Sequence, residues 1–585
     1  MRIDLAIGDD AVRLLADPAF RDMWRALYEA CPWGTPFQSL EFVATWYDIY
    51  AARFTPVMLF AIDGDSLVGL LTLGRHAQSG MLCAAGADRA EYQAWLARPG
   101  DGDAFITGAL TRLRAAHPNG TFRMGCLPPG TPLEWTARND AWRRKCRVEP
   151  LQTPLMNLEQ GAHASQSRWK KVARSIGRLE RSGTVRFEEL TTVGELESVL
   201  DEIATQYDLR QGAANDYTHF GSDPLRKAFL LALMRAGVLH ATVLRHDDAL
   251  VAANLGVSGK KVVYLGIFAH SALYAKESPG KLHLALLGGH LAKTDCRALD
   301  LTPGEDTYKP AFANATADVY ELTIFSTSIT RQLGVIGRQV SKWAKQCMQA
   351  VGVDTLALKK EAKRAWRAGL RRSLAQSIRS ACQHVFSREE LRVYALPAVR
   401  VATHHVVPVA QRDQFQDLLA YKQLPDLYTR QEFLGRALAR IQHGHHVYTR
   451  VERGRLAHCG WLAENQDRAE LTEVGQSLTL PSRSAVLYDF HTHPAERGRG
   501  LYLATLRQML HETVASGDTD WIFIWVQATN GPSRHVIEKA GFQYRGSVFQ
   551  RVMFGHVERW STIDDTVSQS DIALTVRTSV RASML

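Results

Sequence analysis

Apolar positions recur along this chain with periods near 3.6 and near 2, and each switch of period marks a predicted helix or strand. Within residues 1–160, FVATWYDIYAARF has helical spacing. PVMLFAIDGDSLVGLLTLGR reads as two strands joined at Asp63-Gly64-Asp65. DAFITGALTRLRAAHP reads as a helix and GTFRMGCL as a short strand, which together predict an α/β layer on a mixed sheet. Ser165 to Gly183 is predicted to be a helix, with Ser165 or Ser167 as its cap and Gly183 as its stop. Trp169, Val172, Ile176 and Leu179 share one face of it. Arg168, Lys170, Lys171, Arg174, Arg178 and Arg181 cover the rest, as a solvated face or as a cationic wall for a phosphate-bearing ligand.

A second α/β run comes next. VRFEELTTVGELESVLDEIATQYD predicts strand then helix, and VLHATVLRHDDALVAANLGVSGKKVVYLGIFA predicts three strands with a turn at Asp247-Asp248. SPGKLHLALLGGHLAKTDC predicts a helix opening at Pro279-Gly280, and RALDLTPGEDTYKPAFAN a strand entering a loop. In residues 331–395, Leu358, Ala362, Trp366, Leu370, Leu374, Ile378 and Cys382 recur every four positions, predicting a basic helical connector. The third run has TRQEFLGRALARIQHG as a helix stopped by Gly444, SAVLYDFHT as a strand and GLYLATLRQMLHETVASG as a helix. DWIFIWVQA then predicts an apolar strand, PSRHVIEKAG a helix and FQYRGSVFQRVMFG a closing hairpin. The polar tail from Ser561 is expected to be disordered.

Composition changes this picture little. The 585 residues are 46% hydrophobic and 22% charged, enough for several domains. No apolar run is long enough to span a bilayer, and Asp4, Asp9 and Asp10 stand where an export signal would be cationic, so a cytoplasmic location is expected. The 8 cysteines form no C-x-x-C pair and are expected to be reduced. The net charge of +10 is concentrated in Arg338 to Arg379, where eleven Lys or Arg face only Asp354 and Glu361. A uniform nucleic-acid surface is therefore not expected, and no DNA partner; the segment could contact an anionic surface.

The most informative stretch is YDFHTHPAERGRGLY, Tyr488 to Tyr502. Asp489, His491 and His493 form a D-x-H-x-H string of the kind that opens a metal-dependent barrel hydrolase. Only 92 residues remain after His493, too few for the rest of such a barrel, and no metal is expected. The stretch fits a phosphate turn better: a strand ending at Thr492, a Gly-rich turn, then a helix from about Leu501. Backbone N–H groups of Arg497, Gly498, Arg499, Gly500 and Leu501, with the helix dipole behind them, would receive a pyrophosphate.

HPAERGRGLYLATL, an apolar strand and NGPSRHVIEKAGF together resemble the GNAT superfamily of acyl-CoA-dependent N-acyltransferases over residues 396–556. The matching positions are Arg497, Gly500, Asn530, Ser533, Gly541 and Phe542. The resemblance implies that the turn holds the cofactor's pyrophosphate, that the strand end near His491-Thr492 bonds the pantetheine amides, and that Asn530 lies beside the pantetheine arm. Tyr502 departs from the family's Gly or Ala. Ile537 replaces the tyrosine that protonates the leaving thiolate, leaving Tyr544 or Ser533 as acids. WKKVARSIGRLERSG, SPGKLHLALLGG and LDLTPGEDTYKPAFA resemble the CelD-type acetyltransferases of cellulose and exopolysaccharide biosynthesis over residues 160–325. Those are relatives of the Fem-type peptidyltransferases, which carry two GNAT folds in tandem. The matching positions are Ser278, Pro279, Gly280, Lys281, Asp300, Gly304, Tyr308 and Lys309. Ser278, Gly280 and Lys281 would form a second anion-receiving turn. Lys309 would stabilise developing negative charge and Tyr308 would relay a proton, unless Asp300 and Lys309 simply form an ion pair.

The expected fold is α/β (α+β) with three GNAT-like mixed-sheet units: a tandem pair and a single C-terminal GNAT domain, joined by the basic helical connector. The expected boundaries are 1–160, 161–330, 331–395, 396–560 and a tail, 561–585. The expected activity is acyl transfer from acetyl-CoA or another acyl-CoA to an amine, by direct attack in a ternary complex. The acceptor implied by the CelD-type resemblance is an amino sugar or polysaccharide precursor, with polysaccharide-synthesis proteins as partners. General-base candidates in the C-terminal domain are Asp489, His491, His493 and Glu473. The alternatives are an aminoacyl-tRNA-dependent transferase, with RNA on the basic helices, and a non-catalytic scaffold.

Overall fold

The computed structural model describes residues 1–118, 121–159, 166–304, 306, 308–326, 386–401, 407–424, 427–554, 556–563 and 574–578. The basic stretch Arg338 to Arg379, the apolar recurrence from Leu358 to Cys382 and the candidate cap Ser165 lie outside them. The chain divides into two compact units. One holds Met1–Asp208 and Tyr217–Ala344, the other Leu209–Asp216 and Lys345–Leu585.

In the N-terminal unit, β1 (Asp4–Ile7), β2 (Phe54–Asp63), β3 (Ser66–His76) and β4 (Leu82–Ala84) form an antiparallel sheet, with β5 (Leu96–Ala97) also on β3. Helices α1 (Leu40–Ile49) and α2 (Gly102–Ala116) pack on it; Ser39 caps α1 by accepting from Phe42 N–H. The second sheet uses β6 (Phe122–Leu127), β7 (Cys146–Asn157), β8 (Val185–Leu190), β9 (Leu239–His246), β10 (Ala249–Gly259), β11 (Val262–His270), β12 (Ala298–Asp300) and β13 (Ala315–Ile324). Its order is β6-β13-β7-β12-β11-β10-β9-β8, antiparallel throughout except for β11 with β12. The helices α3 (Gln166–Leu179) and α5 (Pro279–Leu291) cover one face, meeting through Val172, Leu179, Leu282 and Leu287. The helix α4 (Arg226–Arg235) lies against α1 and β9, its Phe229 edge-on to Phe42.

The C-terminal unit repeats this plan. Its main strands are β14 (Phe386–Pro397), β15 (Gln411–Arg412), β16 (His446–Glu452) and β17 (Arg455–Ala463). Two short strands, β18 (Arg468–Leu471) and β19 (Gln476–Thr479), precede β20 (Ser484–Thr492), β21 (Trp521–Gln527), β22 (Gln543–Met553) and β23 (His556–Ser561). The eight-stranded order is β15-β16-β17-β20-β21-β14-β22-β23, again antiparallel except for β20 with β21. The helix α7 (Arg430–Gln442) starts at a capping box of Thr429 and Glu432. After it come α8 (Leu501–Ala515) and α9 (Gly531–Lys539); α6 (Lys309–Phe312) is a single turn in the N-terminal unit.

Three expectations change. The C-terminal sheet begins at Phe386, inside the expected connector. Its first strand is central, with Tyr394 and Leu396 buried on one face and Leu391, Val393 and Ala395 on the other. FQYRGSVFQRVMFG is one strand, not a hairpin: Gly546 sits at a bulge where Val393 and Tyr394 shift register, and the chain turns only after Met553. The tail expected to be disordered supplies β24 (Thr575–Thr578), which completes a three-stranded sheet with β18 and β19.

Candidate functional site

Each eight-stranded sheet splits open at its one parallel pair. In the C-terminal unit, β20 and β21 pair only from Ser484, Ala485 and Val486 to Trp521, Ile522 and Phe523. Beyond Val486, the side of β20 toward β21 has no strand partner, so its N–H and C=O groups are open to a ligand that pairs like a strand. A bulge interrupts β20 there. Cys459 pairs with His491 and Trp461 with Tyr488, so Asp489 and Phe490 together face Gly460. Asp489 takes the positive φ this requires, 49°.

The bulge sorts the motif residues between two helices. On the α7 side, Asp489 makes an ion pair with Arg440 at 2.5 Å, Tyr488 bonds His445 at 2.5 Å, and His491 lies beside Tyr421 at 5.7 Å between rings. Burial holds the pKa of His491 below its ordinary value. His493 turns away and accepts from Ala495 N–H at 3.2 Å. Toward α8, the Phe490 ring faces Tyr502, and Thr492 bonds His458, whose pKa burial pushes down to about 3.

The turn after β20 has the geometry of an anion receiver. Gly498 and Gly500 have φ of 78° and 75°, and a Cβ on either would meet nothing within 4 Å. Among the described residues, no acceptor meets the N–H groups of Gly498, Arg499, Gly500, Leu501, Tyr502 or Leu503; the first bonded donor is Ala504, to Gly500. Arg497 is exposed with no ion pair among the described residues. The Arg499 side chain is held by Glu452 and Glu496. Asn530 caps α9 by accepting from Ser533 N–H.

Two predicted residues stand elsewhere, and the position that lacks the family's tyrosine is in the core. Glu473 lies in the turn between β18 and β19, which packs on the β22–β23 hairpin through Gly475 and Arg559. Tyr544 is on β22, separated from β21 by the whole of β14, and it bonds Ser547 at 2.7 Å. Ile537 is fully buried in the core.

Tyr502 decides what the opening can hold. Its ring packs on Phe490 of β20 at 4.6 Å between centroids, and its hydroxyl meets Ser533 of α9 at 3.2 Å. It therefore bridges the two walls of the opening on the α8 side, and burial pushes its pKa up to about 12.

The N-terminal unit has the same opening with different side chains. β11 and β12 pair only from Val262, Val263 and Tyr264 to Ala298, Leu299 and Asp300. Leu255 pairs with Ile267 and Val257 with Tyr264, so Leu265 and Gly266 together face Gly256. Gly266 thus occupies the place of Phe490. At the helix start, Ser278 takes the left-handed conformation of Gly500 (φ 53°), and Gly280, second in α5, occupies the place of Tyr502. A Cβ on Gly280 would lie 2.9 Å from the His270 ring. Gly280 and Lys281 N–H groups have no acceptor among the described residues, and the Lys281 side chain is exposed and unpaired there. Asn254, fully buried on the α5 side opposite Phe268, leaves both ends of its amide without a protein partner.

The other predicted residues of this unit surround the end of β12. Lys309 is buried, and its ammonium meets Thr302 O at 3.1 Å, Pro303 O at 3.4 Å and Asp306 at 3.0 Å, which uses all three donors. Its ion-pair partner is Asp306, not Asp300. Asp300 instead accepts from Tyr92 at 2.7 Å, Thr153 at 2.9 Å and Thr302 N–H at 2.7 Å, and burial still raises its pKa. Tyr308 faces Phe268 at 6.3 Å between rings. Gly304 lies beside the Lys309 ammonium.

On the other face of the same bulge is a cavity of about 120 Å³. Tyr264 to Ile267 of β11 form one wall, Phe229, Leu230 and Leu233 of α4 another, and Asp88, Arg89 and Glu91 come from the loop before β5. Glu91 is an exposed residue at the rim of the cavity, yet the protein packed around its carboxyl raises its pKa. Lys309 and Arg226 oppose that rise, and Asp300 and Asp88 add to it. Glu91 has no hydrogen-bond or ion-pair partner among the described residues. Sequence reasoning missed Glu91, His219 and Arg226: Glu91 lies in an aperiodic loop, and the charges it faces come from distant segments.

Residues 166–310 match the family described as acetyltransferase (GNAT) domain, and residues 469–552 match FR47-like protein. The chain thus carries a GNAT acetyltransferase domain and an FR47-like domain on a mixed α/β fold, which supports a transferase. A search of curated proteins finds no match. Among solved structures, a conserved protein of unknown function from Bacteroides thetaiotaomicron VPI-5482 is 12% identical, covering 53% of this chain and 97% of its own, with a TM-score of 0.38. L-PGS from Bacillus licheniformis is 11% identical over 53% of this chain and 92% of its own, TM-score 0.37. FemX is 8% identical over 51% of this chain and 95% of its own, TM-score 0.38.

A GNAT domain implies acyl-CoA as a substrate. The N-terminal opening fits it: an unpaired β11 edge for amides, glycines at both approach points, an orphan Asn254 amide, and open N–H groups with Lys281 at the helix start. The C-terminal opening fits at the turn; behind it the Tyr502 and Phe490 rings pack on each other between β20 and α8.

Proposed function

We propose that the N-terminal unit transfers an acyl group from acyl-CoA to an amine, with Glu91 as the group that takes the amine proton. One observation carries the reading: the unpartnered Glu91 carboxyl and the bulged, unpaired stretch of β11 line one cavity. Acyl-CoA, when bound, supplies a thioester carbonyl as electrophile. Gly280 and Lys281 N–H groups and the Lys281 ammonium would hold its phosphates, and the β11 edge and Asn254 its amides. The α3 helix supports that end, since its Arg178 reaches Glu277 at 3.3 Å, one residue before Ser278. Glu91 must be ionised to act as a base, and its raised pKa makes it a stronger base than an ordinary glutamate. Lys309 holds the loop after β12 rather than facing the reacting carbonyl.

The reading takes residues 1–160 and 161–330 as a tandem pair and places the reaction in the cytoplasm. An amino sugar or polysaccharide precursor as acceptor rests on the CelD-type resemblance alone. Glu91→Gln tests the reading: CoA release with an amine acceptor should fall while acetyl-CoA affinity stays. Loss of acetyl-CoA binding in the unsubstituted protein would remove it.

A second reading applies to the C-terminal unit. The Tyr502–Phe490 pair favours a scaffold that keeps the GNAT-like frame without the pantetheine slot.

A further inference from the structure

Four charged side chains line the cavity beside β11, and only two of them neutralise each other. Arg89 bonds Asp88 at 2.7 Å and the buried Asp223 at 2.7 Å, and Tyr50 completes that cluster by donating to Asp223 at 2.6 Å. Glu91 and Arg226 remain. Arg226 is buried with no carboxylate in ion-pair contact among the described residues. Its Nη1 donates to His219 Nδ1 at 3.1 Å, its guanidinium lies 5.4 Å from the Phe220 ring, and its Nε has no partner among the described residues. His219 gives no compensating charge. It accepts from a guanidinium, and burial first, then Arg226 and Arg89, push its pKa down to about 4.

A buried cation without a counter-ion is costly, and an opposite charge in the same cavity could have relieved it. Glu91 is close enough to feel Arg226 electrostatically, yet the two form no ion pair. A positive and a negative group thus line one space of about 120 Å³ without pairing, comparable to the roughly 150 Å³ cavity that accommodates a benzene ring. The ligand complementary to that arrangement carries an ammonium and an anion on one small frame.

We propose that the acceptor is a small zwitterionic amine: its nitrogen meets Glu91, and a carboxylate or phosphate on the same frame meets Arg226. This rests on the acyl-transfer reading for the use of the nitrogen, but not for binding. Arg226 would complete its unused donors on the anion, the pairing for which a guanidinium fork is suited. The same ion pairs fix which nitrogen faces the opening, so Arg226 acts on specificity and Glu91 on the proton.

Calorimetry on the full chain without acyl-CoA tests the pocket directly. The probes are two matched sets: L-alanine with L-alaninamide and propionate, and phosphoethanolamine with ethanolamine and ethyl phosphate. One zwitterion is expected to bind at least about tenfold tighter than either of its halves, and the set that does so identifies carboxylate or phosphate. Arg226→Gln should reduce that zwitterion to the affinity of its amine half, and Arg226→Lys should keep part of the difference. Equal binding of zwitterions and halves, or an Arg226→Gln loss shared equally by the amine half, overturns the proposal. A separate acetyl-CoA titration keeps the two ideas apart. Zwitterion binding without acetyl-CoA binding would leave the pocket and remove the acyl-transfer reading; the reverse would remove the pocket alone.

Discussion

The two eight-stranded sheets share the order of seven strands, one parallel split, a bulge facing a glycine, and a left-handed residue at the helix start, yet differ at two positions that flank the split. Where the N-terminal unit has Gly266 and Gly280, the C-terminal unit has Phe490 and Tyr502. The same backbone arrangement is therefore present twice, and in the proposed reading these side chains decide whether it admits acyl-CoA. The turn does not decide it: Gly498 and Gly500 leave the C-terminal turn as free as any, and its N–H groups are unsatisfied. Behind the turn, two aromatic rings pack together and the Tyr502 hydroxyl meets Ser533, and in the proposed reading this contact closes the slot.

The largest expected effect comes from removing the base. Glu91→Gln should lower kcat/KM on the order of 10²- to 10⁴-fold, the usual contribution of a positioned base, with acetyl-CoA affinity unchanged in a titration. Next is the exchange of the two slots. Gly280→Tyr should weaken acetyl-CoA binding to the N-terminal unit at least about 100-fold, because even a Cβ on Gly280 would lie 2.9 Å from the His270 ring. The double variant Phe490→Gly with Tyr502→Gly should create weak acetyl-CoA binding that Gly280→Tyr does not remove; no gain would mean the rings are not what closes the slot.

The pH profile is a smaller effect. A base with a raised pKa is active above that pKa and is lost as pH falls through it. The acidic limb of kcat/KM should therefore lie above the ordinary glutamate value of about 4.3. Lys309, Arg226, Asp300 and Asp88 all bear on it, so Arg226→Gln should move the limb further up while Glu91→Gln abolishes it. The smallest contrast is in stability. A Cβ on Gly256 would sit 2.3 Å from the Tyr264 carbonyl oxygen, and one on Gly460 would sit 2.4 Å from the Phe490 ring. Alanine at either should destabilise by about 1–3 kcal/mol in denaturant unfolding, and more at Gly256, where backbone rather than a ring must move.

Features written in local sequence were readable in advance. The α/β blocks follow from period, and the turn at Arg497 to Leu501 follows from glycines between a strand and a helix. Pairings across long separations were not. Nothing near Phe386 marks it as a central strand, because its neighbours, Trp521–Gln527 and Gln543–Met553, come much later in the chain. Gly546 resembles a turn residue locally and is a bulge because Ile563 approaches it to 2.8 Å of a would-be Cβ. Glu91 was invisible for the same reason: its significance depends on Arg226 and on the bulge of β11, neither of which its own loop predicts.

The central strand β14 has a consequence for how the C-terminal unit forms and how it can be cut. It is made before either of its neighbours, and it is apolar on both faces. During synthesis it emerges with both edges unpaired until Trp521–Met553 arrives, a long interval for an aggregation-prone segment. The closing contacts span most of the unit, which slows folding. A fragment started at the apparent domain boundary near residue 396 would lack the strand that joins β21 to β22. The shortest independently folding C-terminal piece must therefore begin before Phe386.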